Sequence, residues 1–177
     1  MGVEFRILDF IQSIRTPFGD AVMPLISALG NSGMIWILLA CVLTALPKTR
    51  RCGLVLAAAL CFDVVLCDGI LKHLFARIRP FDVNPSIQLL VNRPYGYSFP
   101  SGHTAASFAS ASALCFTGRK KLWIPAFVLA CVIAFSRLYL YVHYPTDILG
   151  GIAVGILAGY MGYRTVQKIF AGEENFH

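Results

Sequence analysis

Ser136-Arg137-Leu138-Tyr139-Leu140-Tyr141-Val142-His143-Tyr144-Pro145-Thr146-Asp147 sets an arginine, a histidine and an aspartate between two long apolar runs. Charge facing lipid is costly, so ionisable groups at membrane depth are candidates for function. The three residues are also chemically coherent. Arg137 can bind a phosphate through two parallel hydrogen bonds. His143 can serve as a nucleophile or as a base. Asp147 can fix its tautomer and orientation, as carboxylates do for reactive imidazoles. On its own the stretch also fits a salt-bridged turn between spans. The decision between the two depends on what the rest of the chain places beside it.

Composition sets the environment. Of 177 residues, 57% are hydrophobic and 14% charged, and the mean hydropathy is +0.69. A soluble domain carries about 25% charged residues. The chain therefore reads as an all-α, polytopic transmembrane helix bundle forming a single domain over residues 1–177. The net charge of +6 does not point to nucleic acid, which calls for a continuous exposed basic stripe. Here the cations fall in short clusters between apolar runs. The six cysteines lie in or beside those runs without a Cys-x-x-Cys pair and read as small buried hydrophobes. Glu4 and Asp9 occupy the first ten residues, where a secretory signal peptide would have an apolar core. Insertion is expected through the spans themselves.

About six transmembrane helices are expected, with an N-terminal amphipathic helix before them. Val3 to Ile14 has the spacing of an amphipathic helix lying at the interface. With Phe18 to Leu29, which is too short for a full span, it makes residues 3–30 a region of interfacial and short helices. Met34 to Leu46, Gly53 to Phe75, Gly102 to Thr117, Leu122 to Tyr141 and Thr146 to Phe170 read as spans. Arg50/Arg51, Arg119 to Lys121 and Arg164/Lys168 fall on one side if spans alternate, and the positive-inside rule makes that side cytoplasmic. Lys72 to Pro80, Pro100 to His103 and Arg137 to Asp147 then converge on the outer face. Two stripes of small residues, Gly151/Gly155/Gly159 and Ala105/Ala109/Ala113, suit close helix packing.

The two segments that join the opening stretch are each informative. Lys72, Arg77 and Arg79-Pro80 end a span. A continuing helix would set Lys72 and Arg79, seven apart, on one face as a phosphate clamp. The ordinary alternative is snorkelling to headgroups. Asp68 lies one turn before Lys72 and can pair with it. In Pro100-Ser101-Gly102-His103, Pro and Gly mark a turn and Ser101 is a candidate N-cap. A helix start offers free N–H groups to an anion, and His103 sits beside it. Three such clusters on one face make three ordinary turns a poor joint explanation.

Lys72 with six residues before Arg79-Pro80, then Pro100-Ser101-Gly102-His103, then Ser136-Arg137 with five residues before His143 and three more before Asp147, resembles the type-2 phosphatidic acid phosphatase family. The resemblance covers roughly residues 50–170, and the motifs match in content and order. It implies that His143 is the nucleophile forming a phosphohistidine and that Asp147 orients it. His103 would protonate the leaving oxygen and then activate water. Lys72, Arg79 and Arg137, with Ser101 and the Gly102 N–H, would hold the phosphoryl oxygens. Phosphoryl transfer needs positioning and charge neutralisation above all, and no cluster suited to Mg²⁺ or Zn²⁺ is evident, so neither metal nor cofactor is expected.

A site at headgroup level on the outer face of a cell membrane implies a phosphorylated lipid as substrate. A small six-span member of this family resembles bacterial undecaprenyl diphosphate phosphatases and phosphatidylglycerophosphate phosphatases, and its size and simplicity favour a polyprenyl diphosphate. A phosphatidic acid or phosphatidylglycerophosphate phosphatase of broad specificity is the alternative. A lipid transporter or flippase ranks below both, because the charges cluster at one face and no internal repeat is evident.

Overall fold

The computed structural model describes residues 2–174, with side chains through residue 171. Among the described residues every regular element is helical. They are α1 (Val3–Ser13), α2 (Pro17–Leu29), a 3₁₀ turn (Asn31–Gly33), α3 (Met34–Ala45), α4 (Arg50–Asp63), a π-helical stretch (Val64–Leu71), α5 (Lys72–Phe75), α6 (Pro80–Val83), α7 (Gly102–Phe116), α8 (Lys120–Tyr139) and α9 (Pro145–Glu174). Three stretches are long and apolar enough to cross a membrane: Arg50–Val83, Lys120–Tyr139 and Pro145–Ala171. A fourth is reached if α2 and the segment Asn31–Ala45, bent by 46°, count as one. The bend falls where Ser32 (φ 51°) and Gly33 (φ 66°) leave helical geometry. Leu38, Val42, Val128, Leu149 and Leu157 all point outward. Apolar surface on this scale needs a covering, and a bilayer supplies it.

The centre of the bundle is α7. Ala105, Ala109 and Ala113 are fully buried, and α9 meets them through its glycines. A Cβ on Gly155 would stand 2.5 Å from the Ala105 carbonyl oxygen and 2.8 Å from the Ala109 nitrogen. One on Gly151 would stand 2.8 Å from the Ser101 carbonyl oxygen. The stripes thus set how closely α9 approaches the start of α7, and with it the distance between the second and third sequence motifs. Small residues allow such approach, and dispersion from it drives association in lipid. Trp36 of α3 closes the other side of α7, donating to Ser107 Oγ at 3.0 Å. The cysteines are free. Cys52 and Cys67 are buried as expected, whereas Cys41, Cys61, Cys115 and Cys131 are exposed on the outer helix surfaces, where lipid is an equally apolar neighbour.

The two ends of the bundle differ in character. Lys48, Arg51 and Arg119 line one shared recess with Thr117 and Gln167, so the basic turns meet at one end. The three sequence motifs meet at the other. The N-terminal segments also lie there. Gln12 of α1 donates to the Tyr139 carbonyl at 2.9 Å. The start of α2 meets Tyr139 through Asp20 at 2.7 Å, while Ser27 near its end bonds Arg137. Both ends of α2 therefore sit at the motif end, and α3 alone leads down to the basic turn.

Candidate active site

The turn between α8 and α9 carries the centre of the site. The helix stops at Tyr139, the chain reverses through Tyr141 at φ 60°, and Pro145 opens α9 at the position where a missing N–H costs nothing. His143 is thereby held inside the turn, 2% exposed. Asp147 lies in the first turn of α9, where the helix dipole favours a carboxylate. Its Oδ2 accepts from Ser98 Oγ at 2.5 Å, the Tyr144 N–H at 2.9 Å and His143 Nδ1 at 3.3 Å. Its Oδ1 accepts from Arg77 Nη1 at 2.7 Å. Four donors leave this buried carboxylate no freedom to rotate.

Arg79 completes the environment of His143. Its guanidinium donates to the carbonyls of Gly96 at 2.9 Å, Val142 at 3.0 Å and Tyr95 at 3.1 Å. Arg79 Nη1 also lies 3.3 Å from His143 Nε2. A guanidinium can only donate, so this contact assigns the lone pair to Nε2 and the proton to Nδ1, facing Asp147. Burial pushes the His143 imidazole well below its ordinary pKa; the Asp147 hydrogen bond opposes this, and the charges of Arg79 and Arg137 add to it. The ring is neutral near pH 7, with the nitrogen that carries the lone pair turned away from the carboxylate.

The second motif enters from α7. Ser101 takes the N-cap position, but its side chain makes no capping bond; its Oγ accepts from Thr104 Oγ1 at 3.0 Å. The Ser101 N–H donates to the Asp147 carbonyl at 3.1 Å, tying the second motif to the third. A Cβ on Gly102 would stand 3.2 Å from Lys72 Nζ, so glycine here lets the ammonium approach the helix start. Lys72 itself is bonded to Asp68 at 2.5 Å. His103 Nε2 lies 3.0 Å from Asn31 Oδ1, and that acceptor requires a proton on Nε2. Arg137 is 4% exposed. It bonds Ser27, and its Nε has no partner.

One cavity of about 400 Å³ joins these groups; Lys72, Arg79, Gly102, His103, Arg137 and His143 all line it. Ser101 and Asp147 lie behind its wall, fully buried. The expected continuous helix from Lys72 to Arg79 is not what brings the first motif there. The helix ends at Phe75, Ala76 adopts φ 43° and ψ 36°, and the chain turns so that Arg79 reaches the cavity from an extended segment. Residues outside the motifs also take part: Ser98 on Asp147, Asn31 on His103, Ser27 on Arg137 and Arg77 on Asp147. Only Arg77 had a sequence signal, as a member of the first cationic cluster. Among the described residues no group of three or more His, Cys, Asp or Glu is placed to hold a metal ion.

The chain is similar to known proteins. The family model described as the PAP2 superfamily matches residues 50–171. An undecaprenyl-diphosphatase of Sulfolobus acidocaldarius is 32% identical over 164 residues, covering 92% of this chain and 75% of that protein. A lipid A 4'-phosphatase of Bacteroides thetaiotaomicron is 33% identical, covering 96% of this chain and 79% of that protein. The crystal structure of Aquifex aeolicus LpxE superposes with a TM-score of 0.80 at 28% identity, over 93% of this chain and 96% of that one. A transmembrane PAP2-type phosphatidylglycerolphosphate phosphatase of Bacillus subtilis gives 0.75 at 27% identity, over 93% and 84%. With three motifs gathered on one cavity inside a multi-pass helical bundle, the chain belongs to the PAP2 superfamily and is a membrane lipid phosphatase.

Proposed function

We propose that the protein hydrolyses a polyprenyl diphosphate to the monophosphate through a phosphohistidine on His143. The observation that carries this reading is a charge imbalance. Arg79 and Arg137, each 4% exposed, form no ion pair among the described residues, and both line the cavity that holds His143. A buried cation without a counter-charge is costly. A phosphoryl group supplies that counter-charge and occupies the unpartnered Nε of Arg137. Lys72 and the Gly102 N–H at the start of α7 complete the cradle, and Ser101 fixes where that helix begins.

His143 Nε2 attacks phosphorus as the bond to the leaving oxygen breaks. His103 gives that oxygen its proton. The bond from Nδ1 to Asp147 stabilises the charged ring that results. Water then attacks the phosphohistidine, His103 takes a proton from it, the P–N bond breaks and phosphate leaves. The sum is one diphosphate and one water to one monophosphate and one phosphate. The cavity shares Ile37, Leu60 and Val64 with an apolar groove between α3 and α4, a path for a hydrocarbon chain attached to the phosphate.

In the membrane, α1 lies along the interface with Val3, Ile7, Phe10 and Ile14 outward. The bent α2–α3 pair, α4 with its π-helical extension, α7, α8 and α9 make five crossings against the six transmembrane helices expected from the sequence, because α2 begins and ends at the site end. The basic end faces the cytoplasm and the site opens at the outer face.

Asp63 and Asp68 line the same cavity, and Asp63 Oδ1 has no partner. This favours a second reading, a hydroxyl-bearing leaving group as in phosphatidylglycerophosphate. Phosphate release by purified protein in EDTA, across undecaprenyl diphosphate, phosphatidic acid and phosphatidylglycerophosphate, separates the readings. We expect undecaprenyl diphosphate to show the highest kcat/KM. A preference for phosphatidylglycerophosphate moves the assignment to the second reading. Loss of activity in EDTA that Mg²⁺ restores contradicts the metal-free mechanism.

A further inference from the structure

Asp147 Oδ1 is held from the side away from the cavity. Arg77 Nη1 donates to it at 2.7 Å and also to Thr146 Oγ1 at 2.7 Å. Arg77 Nη2 donates to Glu4 Oε2 at 2.5 Å, and the guanidinium carbon stands 3.8 Å from the centroid of the Tyr144 ring. Glu4 Oε1 in turn accepts from Thr146 Oγ1 at 2.5 Å and from the Thr146 N–H at 3.3 Å. A residue in the first turn of α1 thus reaches, through one guanidinium, the carboxylate that orients His143. Arg77 does not line the catalytic cavity, in contrast to Lys72, Arg79 and Arg137.

From this we propose that Arg77 is a positioning residue for the His143–Asp147 pair and that Glu4 sets Arg77, which makes α1 part of the catalytic assembly. The inference rests on the roles given above to His143 and Asp147. Three contacts fix the guanidinium plane: the carboxylate of Asp147, the carboxylate of Glu4 and the face of Tyr144. With Oδ1 held by that plane, Oδ2 is left in one orientation, toward Ser98, Tyr144 and His143. Without it the carboxylate can rotate, and the imidazole loses its fixed direction of attack. α1 is positioned to serve as the anchor. It buries Leu8 and Ile11 against the bundle while Val3, Ile7, Phe10 and Ile14 stay outward.

As a stability element the Glu4–Arg77 pair is modest, since both side chains are about one-third exposed and such pairs contribute little. Its effect belongs in kcat. The measurement is steady-state phosphate release by the full chain in detergent micelles, using whichever phosphorylated lipid of the panel turns over fastest. Arg77→Ala is expected to lower kcat about 10- to 100-fold, the scale found for outer partners of metal-bound histidines, with KM within about twofold. Arg77→Lys and millimolar guanidinium added to Arg77→Ala should each restore part of kcat. Glu4→Ala should lower kcat about tenfold, and the double variant should be no slower than Arg77→Ala, because residues acting in series are not additive.

A raised KM at unchanged kcat would mean that Arg77 binds the phosphate itself, and overturns the proposal. Glu4 and Arg77 effects that multiply also overturn it. Should Arg77→Ala fail to fold, Glu4→Ala carries the test, since it leaves Arg77 in place and removes only the acceptor that sets it; an unchanged kcat there overturns the proposal. His143→Ala, run alongside, separates this inference from the reaction mechanism. Turnover in that variant would defeat the mechanism, whereas an inactive His143→Ala beside a fully active Arg77→Ala defeats only the positioning role.

Discussion

His143→Ala is expected to lose turnover by about 10⁴-fold or more, the scale seen when a covalent nucleophile is removed, while the protein remains folded. The structural basis for the second half is the bonding of Asp147. Loss of the imidazole removes one donor, at 3.3 Å, but Ser98, the Tyr144 N–H and Arg77 still hold the carboxylate. No buried charge is stranded. The cost to stability is that of a cavity the size of one imidazole, on the order of 1–3 kcal/mol. Phosphate release and thermal unfolding of the same preparation check both halves. Substantial residual turnover would mean that the nucleophile is another residue.

Arg137→Ala is expected to behave in the opposite sense for stability. Activity should fall about 10³-fold, the lower end of what an arginine on a transferring phosphoryl group contributes. Arg137→Lys should not restore it, because an ammonium cannot reproduce the planar fork. The unliganded protein, however, should be as stable as the wild type or more so. Arg137 is buried beside Arg79 with Ser27 as its hydrogen-bond partner and an unpartnered Nε, an arrangement that favours the bound state over the empty one. The check is thermal unfolding with and without orthovanadate as a phosphate mimic. Wild type should gain stability with the anion and Arg137→Ala should not. An unchanged anion-dependent shift in the variant would place the phosphate elsewhere.

The readable part of this molecule was its long-range architecture. α8, α9 and the stretch beginning at Arg50 are long apolar runs bounded by cations, and alternation of those cations was enough to bring three distant motifs to one end. The glycines of α9 and the alanines of α7 announced a close contact that the structure places beneath the site. Other features had no local signal. Phe75-Ala76-Arg77 contains neither Gly, Pro nor Asn, so nothing in it marked the left-handed turn at Ala76 that ends the helix before Arg79. The supports of the site come from contacts between residues far apart in the chain. Asn31 reaches His103 across 72 positions, Ser27 reaches Arg137 across 110, and Glu4 reaches Thr146 across 142. Such pairs are created by packing, and an isolated Ser, Asn or Glu in an apolar segment carries no periodicity to reveal them. The same holds for Ser98, one polar residue in an irregular loop, whose hydroxyl bonds Asp147.

The direct test of the account is chemical capture of the intermediate. Undecaprenyl diphosphate labelled with ³²P in its terminal phosphate is mixed with purified enzyme, quenched in alkaline detergent during turnover, and the protein digested and mapped. Label is expected on the peptide containing His143, stable in base, released in acid and absent from His143→Ala. Turnover without label on the protein, or label on any other residue, would contradict it.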